Sequence, residues 1–271
     1  MDSRNIDQLR PVQPPSQAQA SAPAPGPGIG RRPGRLWSLE VVGSVDVTPS
    51  MRRVSLTGAD LQDLTYKPGQ DLVLAMPLGD GTTGRRHYTI RRFDPVSRHL
   101  DIDFVLHGDS PSGNWARSVR TGDRIEAMGP RGRVVLNPEA EWHLFAGDET
   151  CIPGIFGMLE ILPVDARAWA FIEIPDGGEK QNVRTDAALH LEWIERGAPA
   201  GPSSLMLERL RAFALPPGRG HAYIIGETSN VRAQRHDLLA RGMTKEQIAA
   251  EGYWRPGRIG GHDHIEERPA A

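Results

Sequence analysis

A single cysteine, Cys151, stands in a chain of 271 residues. It has no partner for an intramolecular disulfide, and one thiolate cannot hold an iron–sulfur cluster or a cysteine-based zinc site. No stretch approaches the roughly 18 consecutive apolar residues of a membrane-crossing helix. The N-terminal MDSRNIDQLRPVQ has no apolar region of the secretory type, so a cytoplasmic protein is expected. Charge excess is missing too. There are 32 Lys and Arg against 34 Asp and Glu, a net charge of −2, which excludes a global positive field that would draw nucleic acid. Glycine and proline are abundant, at 30 and 23 residues. That much punctuation excludes a coiled coil or an all-helical bundle as the main architecture and favours short strands and turns.

The length suits two modest domains. Residues 1–35, rich in Pro, Ala, Gln and Gly and ending on Arg31, Arg32 and Arg35, are expected to be a disordered tail that buries too little apolar surface to order itself. From Leu36 the pattern changes. Leu36–Val47, Arg53–Thr57, Asp71–Pro77, His87–Arg91, Leu100–His107 and Arg124–Met128 read as strands separated by turn residues, with a brief helix over Ser112–Val119. Many short strands at close spacing imply an antiparallel barrel or sandwich over residues 36–140. Beyond that the rhythm becomes βα. Strands are expected at His143–Ala146, Ala168–Ile174, Leu189–Ile194 and Ala222–Ile225, and helices at Ile155–Leu162, Leu205–Ala214 and Val231–Arg241. This predicts a parallel-sheet α/β domain over residues 141–271.

Four segments carry candidate chemistry. Arg86-His87-Tyr88-Thr89-Ile90-Arg91 offers an aromatic, small hydroxyls and guanidinium groups on one strand, the set a flavin needs for its ring, its nitrogens and its pyrophosphate. An ordinary polar strand reads the same way. His107-Gly108-Asp109-Ser110-Pro111-Ser112-Gly113-Asn114-Trp115-Ala116 runs from a strand through a turn into a helix, where free N–H groups bind phosphate. Ser110 or Ser112 would serve equally as a plain helix cap, and Trp115 as core. Gly147-Asp148-Glu149-Thr150, with Pro153, follows a strand as a dinucleotide-binding turn does, or caps a helix. Gly226-Glu227 again follows a strand, and Tyr253-Trp254-Arg255 places two aromatics after a helix, over a planar ring or pinned to the core.

Taken in order, these segments resemble the siderophore-interacting protein family of FAD-dependent ferric-siderophore reductases, over about Leu36 to His264. The carrying motifs are Arg86 to Arg91 with its Arg-x-Tyr-Thr-x-Arg, Asp101 to Gly108, Trp115-Ala116, Gly122-Asp123, Gly129-Pro130, Gly147 to Thr150, Gly226-Glu227 and Gly252 to Arg255. The turn after His107 is one residue shorter than usual, and Cys151 stands where a small Ala is more typical.

The resemblance implies an N-terminal antiparallel Greek-key barrel for FAD and a parallel-sheet domain for NADPH or NADH, with a C-terminal segment on the flavin side. FAD contacts are expected from Arg86, His87, Tyr88, Thr89, Arg91, Asp103, His107, Ser110, Ser112, Gly113, Asn114, Trp115, Ala116, Tyr253 and Trp254. Gly147, Asp148, Glu149, Thr150, Pro153, Gly226 and Glu227 are expected on the nicotinamide side, and Lys67, Arg131 and Arg255 around an anionic ferric siderophore. Other acceptors (a quinone or a partner protein) and a non-catalytic flavin- or siderophore-binding role are the rival readings. The donor stays open at this stage: Lys180 and Arg184 would suit a 2′-phosphate, Glu173 and Asp176 a free ribose. Cys151 reads as a packing residue or a reactive thiol. His262, Asp263 and His264 with Glu266 and Glu267 are potential metal ligands on a charged terminus, and no metal is expected.

Overall fold

The computed structural model describes residues 34–258 and 263–265. The proposed tail up to residue 33, and His262, Glu266 and Glu267, lie outside the described residues. Arg35, assigned to the tail, instead opens the first strand and pairs with Asp63 at 2.8 Å.

Seven antiparallel strands form the first half: β1 (Arg35–Thr48), β2 (Met51–Thr57), β3 (Asp71–Pro77), β4 (Thr83–Thr89), β5 (Arg92–Asp94), β6 (His99–Val105) and β7 (Arg124–Arg131), in the spatial order β4-β3-β7-β1-β2-β6-β5. The sheet curls on itself, and beyond β4 the N–H of Arg91 donates to the carbonyl of Asp101 on β6. Alternation decides what goes inside. Trp37, Leu39, Val54, Leu56, Leu72, Leu74, Leu100, Ile102, Phe104 and Ile125 fill the barrel. Helix α1 (Pro111–Ser118) follows β6. Ser110 caps it by accepting from the Gly113 N–H, Pro111 starts it, and Ala116 enters the barrel core.

The second half is a sheet of β8 (Trp142–Asp148), β9 (Arg167–Ile174), β10 (Ala188–Glu195), β11 (Gly220–Glu227), β12 (Ile248–Trp254) and β13 (Asp263–His264), ordered β10-β9-β8-β11-β12-β13. Its first five strands are parallel and β13 is antiparallel. The chain starts in the middle, winds outward through β9 and β10, then returns to the other side of β8. Helices α2 (Ile152–Leu159), α3 (Leu205–Ala212) and α4 (Thr228–Ala240) cover the faces. All eight residues of α2 are buried, and its core includes Met51 and Val134 from the first half, so the two halves share one hydrophobic layer. Between β9 and β10 there is no helix. A single tight turn at Gly177–Glu179 fills the crossover, and its Glu179 carboxylate accepts from the Thr48 hydroxyl and from the Ser50 N–H at 3.0 Å.

Several expected bounds shift, among them β4, which runs Thr83–Thr89, and α4, which begins at Thr228. The helix expected at Ile155–Leu162 begins three residues earlier, because Pro153 is favoured in a first helical turn. Tyr253 and Trp254, read as aromatics following a helix, instead close strand β12, which begins at Ile248. Its Ala249-Ala250-Glu251-Gly252 has little intrinsic β preference, and pairing with β11 overrides it. Gly252 is required there: a Cβ would stand 2.4 Å from the Thr228 hydroxyl.

At the amino ends of β8 and β11 sits a buried polar cluster. His143 Nδ1 lies 3.2 Å from the Tyr223 hydroxyl, which accepts from the Asn137 N–H at 2.8 Å. With Nδ1 unprotonated, the hydroxyl can donate to it. Burial, with His221 nearby, lowers the His143 pKa to about 4. The unfolded chain takes up a proton near pH 6.5 that the folded chain refuses until about 4. Stability is thus complete above pH 6.5 and falls as pH drops toward 4, by up to about 1.4 kcal/mol per pH unit. Urea titrations of wild type and His143→Phe at pH 7.5 and 5 are expected to show a smaller acid loss in the variant. Equal losses would remove His143 as the cause.

Candidate active site

The winding order creates a switch point between β8 and β11, where two chain crossovers diverge and leave a crevice beyond the carboxyl ends of the strands. Asp148, the last residue of β8, organises it. One carboxylate oxygen accepts from the Thr150 N–H at 2.9 Å and from the Thr150 hydroxyl; the other accepts from the Glu227 N–H at 3.0 Å and from the Trp254 indole at 2.9 Å. One side chain therefore ties together the ends of β8, β11 and β12 and the start of α2. Burial, then the neighbouring Glu149, pushes its pKa up. Gly226, at φ 134°, passes so close that a Cβ would stand 2.7 Å from the same carboxylate. Glu149 meets Arg196 in a two-pronged pair at 2.7 and 2.6 Å, both side chains buried. Glu227 caps α4, accepting from the N–H groups of Ser229 and Asn230 at 2.9 Å each. Gly147, Asp148, Glu173, Arg196, Glu227 and Trp254 line a small recess here.

A far larger cleft, about 780 Å³, opens between the barrel and this crevice. That volume lies within the 300–1,000 Å³ usual for ligand and cofactor sites. On the barrel side it is lined by Arg86, His87, Tyr88 and Thr89 of β4, by Asp103 and Val105 of β6, and by His107, Ser110, Pro111 and Ser112 at the start of α1. On the other side stand Glu149, Thr150, Pro153, Tyr253, Trp254, Arg255 and Arg258. The seam is stitched where the Tyr253 hydroxyl bonds the Thr89 side chain; burial pushes the Tyr253 pKa well up, keeping that proton in place. Tyr88 lies 4.3 Å from Phe104, centroid to centroid, and hydrogen-bonds Ser112, so its ring is held from behind. His87 Nδ1 meets the buried Asp71 carboxylate at 3.1 Å.

Several expected residues do not face the cleft with their side chains. Arg91 turns to Glu160 at the end of α2, with contacts of 2.8 and 2.5 Å, and lies over Phe156. Gly113 and Ala116 are on the buried side of α1, and Trp115 packs on Phe104 at 5.4 Å. Asn114 is exposed and accepts from Arg117 at 3.0 Å. Lys67 and Arg131 are exposed and outside the lining, with Arg131 resting on the Met128 sulfur. Asp103 lines the cleft but is held by Arg53 at 2.7 and 2.8 Å. Cys151 is fully buried in the core beneath α2, and burial drives its thiol pKa well up, which favours packing over reactivity. Among the described residues no group of three or more ligating side chains forms a metal site. The sequence reading missed Leu78, Pro111, Ala200, Arg196 and Arg258. Arg258 had a signal, as the second arginine after Tyr253-Trp254. Arg196 had none, since its partner Glu149 is 47 residues away.

The residues present fit FAD: a long cleft, an aromatic wall at Tyr88, hydroxyls at a helix start, and an Arg86 guanidinium whose hydrogen bond is to the neighbouring Arg85 carbonyl. A curled antiparallel barrel set against the carboxyl ends of a sheet wound this way is also the fold of a ferredoxin NADP+ reductase from Neisseria gonorrhoeae, with a TM-score of 0.62 and 16% identity over 81% of this chain and 99% of the other. The family matches are more specific. Residues 74–134 match the siderophore-interacting FAD-binding domain and residues 140–257 the siderophore-interacting protein domain. The ferric vibriobactin reductase ViuB of Vibrio cholerae is 30% identical over 243 residues, covering 81% of this chain and 89% of that protein. The chain belongs to the siderophore-interacting protein family. A siderophore utilization protein from T. fusca has the same fold, with a TM-score of 0.77 and 33% identity over 86% of this chain and 97% of the other. An uncharacterized protein of Mycobacterium tuberculosis is 35% identical over 185 residues, 64% of this chain and 65% of that protein's length. No helix among the described residues is long and apolar enough to cross a membrane.

Proposed function

We propose that the chain is an FAD-dependent NAD(P)H oxidoreductase that reduces iron(III) held by a siderophore and releases it as iron(II). In this reading residues 36–140 form the FAD half, residues 141–271 the nicotinamide half, and the protein works in the cytoplasm, where reduced nicotinamide is made. The observation that carries the reading is the continuity of one cleft from the β4 wall to the switch-point crevice. A cofactor in it would have the β4 wall on one side and, on the other, Thr150 and Pro153 together with Arg255 and Arg258, which share the Asp263 carboxylate. The name of the Vibrio cholerae relative supports the substrate class.

FAD, when bound, supplies the conversion of a two-electron donor into single-electron steps, which iron requires. The chain's part is placement and electrostatics. Arg86 meets the pyrophosphate, Tyr88 and Ser112 form the wall, and the Thr89–Tyr253 bond fixes the width of the seam. Pro153 and the buried α2 behind it exclude water. Arg255 and Arg258 share one carboxylate, Asp263, and the net positive charge left over would attract an anionic chelate, most strongly at low ionic strength.

The test is anaerobic. Purified protein is expected to take up FAD, to bleach on addition of NAD(P)H, and to yield iron(II) trapped by ferrozine once a ferric siderophore is added. A protein that takes up no FAD sinks the proposal; bleaching without iron(II) would assign another acceptor. Thr150→Trp, which fills the crevice side of the cleft, is expected to slow bleaching by roughly tenfold or more through misplacement of the donor, with FAD still bound. Unchanged stopped-flow rates with both donors would remove Thr150 from the approach path.

A further inference from the structure

We propose that the donor is NADH rather than NADPH, and that Glu173 selects it by accepting a hydrogen bond from the 2′-hydroxyl of the adenosine ribose. The inference rests on the reductase reading above. In a sheet wound in this order the dinucleotide lies across the carboxyl ends of the strands. The ribose is met beyond the strand next to the first, where an acidic side chain suits a free hydroxyl and a basic one suits a phosphate. Here that strand is β9. Glu173, its penultimate residue, is in register with Asp148 of β8 and Ile194 of β10. It is buried and shares the recess with Asp148 and Glu227. Its carboxylate bonds Ser203 and lies 4.0 Å from Arg196. A carboxylate has about four acceptor positions, so capacity remains for a ribose hydroxyl.

The cations suited to a 2′-phosphate are placed elsewhere or engaged. Arg196, the one cation among the described residues lining the recess, is held by both oxygens of Glu149. Lys180 pairs with Glu195 at 2.6 Å. Arg184 stands at the opposite end of the sheet: its neighbour Thr185 donates to the carbonyl of Leu159 at the close of α2, and β10 begins only at Ala188. A 2′-phosphate would therefore enter beside Asp148, Glu173 and Glu227 with its charge uncompensated, and like charges set together oppose binding. A 2′-hydroxyl brings the donor those carboxylates can use.

Two readouts decide it. On the FAD-loaded full chain, kcat/KM for flavin bleaching is expected to favour NADH over NADPH by about tenfold or more. On flavin-free protein, calorimetric titration is expected to show tighter binding of NAD+ than of NADP+. Glu173→Gln is expected to shrink both preferences several-fold by removing the charge that repels the phosphate. Because Glu173 is buried, Glu195→Gln, on a half-exposed pair, serves as a second variant; it frees Lys180 and is expected to improve NADPH use. Equal or better handling of NADPH and NADP+ by the wild type overturns the inference. If neither donor bleaches the flavin, the reductase reading falls, and the NAD+ and NADP+ titrations still decide the selectivity.

Discussion

Arg86→Ala is expected to weaken FAD binding by one to two orders of magnitude. A charge-assisted hydrogen bond to phosphate contributes on the order of 1.5–3 kcal/mol, or about 10- to 150-fold in affinity. Arg86 lines the cleft, and among the described residues its guanidinium bonds the adjacent Arg85 carbonyl, so its remaining donors are available to an anion. Arg91, five residues on in the same motif, is committed to Glu160. Arg91→Ala should therefore lower thermal stability and leave FAD affinity nearly unchanged. Fluorescence titration of both variants with FAD separates the two roles. If Arg86→Ala binds as tightly as wild type, the phosphate assignment is wrong.

Asp103→Ala is expected to cost the most stability. The Asp103 side chain has no exposed surface, is bonded twice by Arg53, and lies 3.9 Å from Arg91. Removing it strands the largely buried Arg53 guanidinium, while Arg91 keeps Glu160. Breaking a buried pair from one side costs about 3–5 kcal/mol. In a body of this size that lowers Tm on the order of 10 °C. The exposed pair Arg124–Glu40 is the control, with less than about 1 kcal/mol expected from its removal. The double variant Arg53→Met/Asp103→Leu should recover much of the loss, because an apolar pair of similar volume often replaces a buried ion pair at little cost. A loss in Asp103→Ala no larger than in the Glu40 variant would contradict this account.

The barrel strands were legible because alternation is a local signal. Asp101-Ile102-Asp103-Phe104 showed its two faces in sequence, and both exist. Local pattern did not show that the polar face is buried as well, because what covers it comes from β2: Ser55 bonds Asp101 and Arg53 bonds Asp103. The central strand β8 was legible as a continuous apolar run, the mark of a strand covered on both faces. The organiser of the crevice was not. Asp148 read equally as a ligand contact or a helix cap. Two of its donors, the Glu227 N–H and the Trp254 indole, arrive from 79 and 106 residues away. Of the expected flavin motif, Arg86, His87, Tyr88 and Thr89 line one side of the cleft. The motif could not distinguish Arg86 from Arg91, whose destinations depend on how α2 docks. In the same way, the helix start was readable only as Ser110 or Ser112, and the structure has Ser110 as the cap, while Trp115 and Ala116 follow the barrel core.

The grip of Glu179 on Thr48 and Ser50 also sets a schedule for biosynthesis. All seven barrel strands end by Arg131, whereas the carboxylate that holds the β1–β2 turn is some way further along the chain. At about 5–20 residues per second, a ribosome finishes the barrel strands roughly 2–10 s before it polymerises Glu179. During that interval the nascent barrel carries its first turn bare, and the Thr48 hydroxyl, buried in the finished protein, is served by water. Joining of the halves is therefore a late event in the birth of the molecule. A ribosome-stalled chain ending before Gly177 should be cut by protease at Thr48–Ser50, and one extended well past Glu195 should resist.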